Sequence, residues 1–325
     1  MASSTQHPVR TAVLAVGAVG AAAAVWGIGI ERHLYTLRRH TVAVVAPGSA
    51  PIRVLHISDV HMAPWQRRKQ AWIASLASLR PDLIINTGDN LGHPDAVRGI
   101  RAAFAGFRGI PGAFVHGSND LFASAPRNPL RYFLGPSKNH SREVRLDTEA
   151  MDSFFTSTLG WHDVNNAAAT VDVHGRRVNL VGVNDAHRNW DRLDLLPGLF
   201  DQLQAASTDL DGDGLADPEA DPHPLTVAVT HAPYRRVLDA FTGAGADVIF
   251  GGHTHGGQVR VPGFGALVAN CDIPLKQASG LSSWHRLGHT AALNVSAGLG
   301  HSIYAPVRFA CPPEAPLLTL VAREA

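Results

Sequence analysis

Apolar positions along this chain fall into two regimes. From Thr11 to Ile30, twenty residues run without a charge and without a polar face at any helical angle. At about 1.5 Å rise per residue such a run covers the roughly 30 Å hydrocarbon layer of a bilayer. Beyond it the pattern breaks into short buried-type runs and helical spacings that alternate. Ile52–Ile57 reads as a strand, and Arg67–Leu79 as a helix with Trp72, Ile73, Leu76 and Leu79 on one side. Leu83–Ile85 is a second strand, Asp95–Phe107 a second helix and Ala113–Val115 a third strand. Strands that alternate with helices predict βαβ units and a parallel sheet with both faces covered.

The second half differs. Ala168–Val173 and Arg177–Val183 read as a hairpin around His174-Gly175-Arg176, with further strands at Leu225–Thr230, Asp247–Phe250 and Pro316–Val321. The expected organisation is a tail at 1–10, a transmembrane anchor at 11–30, a connector at 31–50 and one α/β domain over 51–323. Within it, residues 121–150 form a polar insert carrying Arg127, Arg131, Lys138, Arg142 and Arg145. Two packed sheets with helices outside fit this order of elements.

The anchor competes with a cleaved signal peptide, for which Ala21–Ala24 offers small residues. The apolar run exceeds the roughly 7–15 residues of a signal core and continues through Val25, Trp26 and Ile28. A single-pass cell-membrane protein is therefore the expectation. Arg10 precedes the run; Arg32, Arg38 and Arg39 follow it, offset in part by Glu31, which leaves the side of the catalytic domain open.

Composition narrows function. Formal net charge is +1 with His neutral, so no basic surplus argues for nucleic acid. Only Cys271 and Cys311 occur, against eighteen His; a thiolate metal site is excluded and an imidazole site invited.

The chemistry sits in five short pieces. Asp59-Val60-His61 follows the first strand, Gly88-Asp89-Asn90 the second and Gly117-Ser118-Asn119-Asp120 the third. His231 follows the strand ending at Thr230. Gly251-Gly252-His253-Thr254-His255-Gly256-Gly257-Gln258 follows the strand ending at Phe250. Each lies just past the carboxyl end of a strand, the edge where open α/β sheets bind ligands. Singly each is a common turn or helix cap. Together they are a set of oxygen and imidazole donors suited to Mn, Fe, Zn or Ni.

On these motifs the chain resembles the calcineurin-like metallophosphoesterase superfamily. The Gly-His-Thr-His-Gly-Gly-Gln form is similar to that of membrane-associated bacterial phosphodiesterases of the UDP-2,3-diacylglucosamine hydrolase type. The resemblance covers about residues 52–300. It implies a four-layer α/β/β/α sandwich and two divalent metal ions, manganese favoured. Asp59, His61 and His255 would hold one ion, Asn119, His231 and His253 the other, and Asp89 would bridge them. The implied reaction is hydrolysis of phosphate esters by a metal-bridging hydroxide. Phosphodiesters are favoured, with a lipid-linked substrate suggested by the anchor. The alternatives are a tethered phosphomonoesterase or nucleotide phosphatase, and a metal-binding but non-catalytic homologue.

One piece departs from the family pattern. Gly-Ser-Asn-Asp stands where Gly-Asn-His-Asp is expected, so Asp120 occupies the place of the family's leaving-group His. The candidates for that role are Asp120 itself or a substitute, His187 first, with His93 and His116 behind it. Separately, 209-DLDGDGLAD-217 resembles the start of a calcium loop but carries Ala220 where a bidentate Glu belongs. An acidic surface turn is the plainer reading.

Overall fold

The computed structural model describes residues 6–123, 144–208, 224–301 and 305–324. Most of the polar insert and the Asp-rich 209–221 stretch lie outside them. Helix α1 (Gln6–Val25) continues through irregular turns to His33. Arg10–His33 is long and apolar enough to cross a membrane, with mean hydropathy 2.1; a signal sequence passes the same test.

The first sheet is built from β1 (Thr36–Val45), β2 (Ile52–Ile57), β3 (Leu83–Asn86), β4 (Gly112–Phe114), β5 (His162–Asp163) and β14 (Glu314–Ala322). Its order is β1-β14-β2-β3-β4-β5, parallel except where β14 meets β2. Helices α2 (Arg67–Ser75) and α3 (Val97–Phe104) supply the crossovers, followed by α4 (Ser118–Leu121) and α5 (Thr148–Ser153). The second sheet takes β6 (Ala167–Val173), β7 (Arg176–Gly182), β8 (Leu225–Val229), β9 (Val248–Gly251), β12 (Gly280–Arg286) and β13 (His289–Val295) in the order β12-β13-β9-β8-β7-β6. Helices α6 (Leu196–Thr208) and α7 (Arg235–Gly243) flank it, and a small hairpin pairs β10 (Arg260–Val261) with β11 (Gly265–Ala266).

Side chains alternate along a strand, so each sheet feeds two cores. Leu55, Ile84, Phe114 and Leu317 join α2, α3 and α5 in one core. Val54, Ile85, Val115 and Leu318 turn the other way and meet Leu180, Val227, Val248 and Phe250 of the second sheet. Val181, Ala228 and Ile249 then pack on α6 and α7. Both faces of the central strands are buried, which is why β3 and β9 read as apolar runs rather than as alternation. His174 (φ 58°) and Gly175 (φ 75°) make the left-handed turn that the β6–β7 hairpin needs.

Two stretches differ from the sequence reading. Residues 31–50, expected as a connector, contain the ten-residue strand β1, so the folded domain begins upstream of residue 51. As an edge strand β1 carries outward Arg38 and Arg39 and lacks the apolar run that marks a central strand. Residues 280–295, unassigned by pattern, form the hairpin β12–β13; its outer face mixes Ser, His and Thr, which hid the period.

Candidate metal centre

Register brings the motif loops to one edge. Ile57 pairs with Asn86 and Asn86 with Phe114, so β2, β3 and β4 end level; Val229 pairs with Phe250, so β8 and β9 do too. The loops beyond these ends carry Asp59 and His61, Asp89, Asn119, His231, and the His253/His255 pair.

The donor atoms converge. Those of Asp59, His61 and His255 lie within 4.8 Å of one another, as do those of Asp59, Asp89 and His231. Nε2 of His61 stands 3.2 Å from Nε2 of His255, and Nδ1 of His253 stands 3.3 Å from Nε2 of His231. One oxygen, Oδ2 of Asp89, lies 3.5 Å from Nε2 of both His61 and His231. A single carboxylate thus faces both halves of the cluster. Asn119 completes the wall: its N–H donates to Asp89 Oδ1 (2.9 Å) and its amide lies 2.6 Å from Asp89 Oδ2.

The backbone bends sharply to achieve this. Asp59, His61, Asp89, His253 and His255 all have φ between 42° and 65°, the left-handed region that costs non-glycine residues about 1–3 kcal/mol each. Glycine makes the room. A Cβ on Gly252 would sit 2.6 Å from Asp59 Oδ2, and one on Gly117 2.7 Å from His231 Cε1.

Burial dominates the electrostatics. It pushes the Asp59 carboxyl upward, with His231 pulling the other way. It also lowers His61 to about 4 and holds His253 and His255 well below the usual range. Asp89 and His231 are the exceptions: burial would raise Asp89, yet the His231 and His61 charges and two Asn119 hydrogen bonds hold it low. His231 is raised, because Asp89, Asp185 and Asp59 outweigh its desolvation.

A second tier fixes these groups. His231 Nδ1 lies 2.7 Å from the Thr87 carbonyl and His253 Nε2 3.3 Å from that of Asn270. Asn294, His56, Thr87 and Ser58 form a buried chain that ends with Ser58 donating to Asp59. Lys69 donates to the Val60 carbonyl between Asp59 and His61, and Arg308, fully buried, stands 3.4 Å from His255 Nδ1. Sequence reading missed all of these. Ser58 and Thr87 sit beside motif residues; nothing in the sequence marks Arg308.

Asp120 takes a different place from the one proposed for a catalytic acid. It is fully buried and accepts four backbone N–H bonds, from Asp89, Asn90, Leu91 and Gly117. Burial raises its carboxyl, but a group spent on holding the Asp89 loop has no oxygen to offer a substrate. Asp120 is a clamp. His116 turns aside to Asp152 at 2.8 Å, and His93 packs against Trp65. His187 does stand at the site: its ring lies 4.5 Å from that of His253, and its Nδ1 is 3.0 Å from the Tyr234 hydroxyl.

The sequence profile of the calcineurin-like phosphoesterases matches residues 52–257, more than half of the chain. The chain belongs to the calcineurin-like phosphoesterase family. Among curated proteins this phosphoesterase is 25% identical over 322 residues to the uncharacterized protein YpbG of Bacillus subtilis, covering 96% of each chain. Among solved structures it is similar to a 5'-nucleotidase precursor from Thermus thermophilus (15% identity, TM-score 0.40, 83% of this chain and 55% of that one). It therefore spans little more than half of that nucleotidase. A dimetal phosphatase from Danio rerio matches at 11% identity and TM-score 0.37, over 76% and 88% of the two chains.

The donor set of this phosphoesterase fits two divalent ions. Imidazole nitrogens meet imidazole nitrogens, and two buried carboxylates face the same space, an arrangement of acceptors that cations satisfy.

Proposed function

We propose that this phosphoesterase hydrolyses phosphate esters, phosphodiesters in preference to monoesters, with substrates presented at a membrane. The observation that carries the reading is the shared Asp89 oxygen, equidistant at 3.5 Å from a histidine of each half. Asp59, His61 and His255 would hold one ion, Asn119, His231 and His253 the second, with Asp89 between them. Two divalent ions so placed, manganese favoured, would supply Lewis acidity and a water acidic enough to ionise near neutral pH.

The chain's own residues do the rest. The Asp120 clamp and the Ser58–Asp59 bond hold the carboxylates in one geometry, so that no reorganisation is needed as charge develops. His187, whose ring lies 4.5 Å from that of His253, would donate a proton to the leaving oxygen. Asp185 orients its backbone by accepting the His187 N–H at 2.8 Å, and Tyr234 holds its Nδ1. Tyr234 keeps its proton, burial pushing its hydroxyl up to about 12. The partition into three cores supports a four-layer α/β/β/α sandwich, and the Gly-His-Thr-His-Gly-Gly-Gln loop supports the phosphodiesterase branch.

The test compares bis-aryl with mono-aryl phosphate, then leaving groups of rising basicity, in wild type and His187→Gln. The diester should be the faster substrate. The variant should lose about tenfold to a hundredfold on a basic alkyl leaving group and little on nitrophenol, as general-acid catalysis requires. An equal loss on both would remove His187 from the acid role. Two bound ions without turnover of either ester would favour the non-catalytic homologue.

A further inference from the structure

The root of the apolar N-terminal helix and the rim of the metal centre share one patch of surface. Gly27, near the end of the span, lies against residue 308: the Arg308 N–H donates to its carbonyl at 3.1 Å, and a Cβ there would stand 2.9 Å from the Arg308 carbonyl oxygen. Glu31, buried, accepts from the N–H of Ala310 and Cys311 and from Trp26 Nε1. The point at which the helix leaves the domain is therefore fixed by residues 308–311.

The same segment pairs with the small hairpin. The Arg260 N–H donates to the Phe309 carbonyl and the Phe309 N–H to that of Gln258, both at 2.9 Å. Strand β10 begins five residues after His255, and the hairpin tip carries Val261 and Phe264, 45% and 74% exposed. On the neighbouring ligand loop Trp65, four residues after His61, is 65% exposed. Arg67 and Arg68 follow it at the surface, and Arg68 is close enough to the helix root to act on His33 and Tyr35.

Exposed apolar residues scattered singly need no explanation. Here they sit on the loop that follows His61 and on the hairpin that follows the His255 loop, beside the foot of a candidate span and among cations. Large apolar tips, an interfacial Trp and a basic fringe are what the headgroup layer of an anionic bilayer recognises.

We infer that the β10–β11 tip and the Trp65 loop rest in the headgroup layer of an anionic bilayer, with Phe264 immersed, so that the metal centre opens at the lipid surface. This rests on reading Arg10–His33 as a retained anchor, and it gives the proposed phosphodiesterase its substrate class, a phosphate in a lipid headgroup. The occupant of the patch is the membrane itself.

The full chain, with Cys271→Ser to limit background, is reconstituted in vesicles of phosphatidylcholine and phosphatidylglycerol. An NBD fluorophore is attached at Phe264→Cys or, as control, at Leu287→Cys. Leu287 lies on the β12–β13 turn, at the sheet end away from the metal centre, and is 77% exposed. The label at 264 should emit to the blue of that at 287 and be quenched at least threefold more strongly by nitroxides on the lipid acyl chains. Equal emission and quenching at both positions, in chain that stays with the vesicles through an alkaline carbonate wash, overturns the inference. Chain that washes off overturns it too, by removing the anchor. Neither readout depends on turnover, so failure of the hydrolase reading shows separately in the aryl phosphate assay.

Discussion

The two halves of the candidate metal centre are backed by opposite charges. Behind Asp59, His61 and His255 stand Lys69 and Arg308, both fully enclosed, both lowering the basicity of His61. Behind Asn119, His231 and His253 stands Asp185, which accepts the Ser118 and His187 N–H groups and raises His231 by its charge. The first half thus opposes a cation with positive charge at its back, whereas the second draws one in. The difference teaches that a near-symmetric set of ligands need not give two equal sites. It predicts two classes of ion, the tighter on the His231 side.

Removing the carboxylate between the halves, or the histidine most buried beside it, should abolish the comparison altogether. Asp89→Asn or His231→Ala is expected to reduce hydrolysis of an aryl phosphodiester by roughly a thousandfold or more, several kcal/mol of transition-state stabilisation. Turnover near that of wild type in either variant would refute the assignment.

Changing the backing should separate the halves. Asp185→Asn is expected to weaken the second ion, and Arg308→Gln to disturb the half containing His255, each by about tenfold to a hundredfold, as for other groups that orient metal ligands. Metal content measured across a chelator titration checks this. If both variants lose the same ion, the asymmetry is wrong.

The Asp120 clamp tests position rather than chemistry. Asp120→Asn puts an amide NH2 where backbone N–H groups converge, and should cost about 1–3 kcal/mol in unfolding free energy. A denaturant midpoint left unchanged while turnover falls would restore Asp120 as an acid.

The smallest effect concerns His116. Burial would lower its pKa from 6.5, but the Asp152 hydrogen bond and charge prevail and raise it. A raised folded pKa contributes stability that is fully present below about 6.5 and is lost as pH climbs through the folded value. The melting temperature of wild type should therefore exceed that of Asp152→Asn more at pH 6 than at pH 9. A pH-independent gap would detach His116 from this role.

Much of this was legible in the sequence because it is local. A short, mostly apolar strand followed by Asp-x-His, or by Gly-Gly-His-x-His, announces both its burial and its chemistry in one stretch. β2, β3, β8 and β9 emerged within a residue or two of their expected bounds. β1 did not, since an edge strand buries one face and its arginines read as linker. Asp120 misled for a related reason: a residue at the position of a catalytic His is read as chemistry, yet its four backbone partners come from two loops some thirty positions apart.

The ordering of the ligand motifs and the strands that carry them were therefore written in the chain, because donor type and hydrophobic period are properties of neighbours in sequence. Which oxygen faces both halves, what stands behind each imidazole, and how the helix root meets the site rim were decided only by packing. Those relations join residues up to 280 positions apart, such as Glu31 and Cys311, and depend on two sheets closing over a common core.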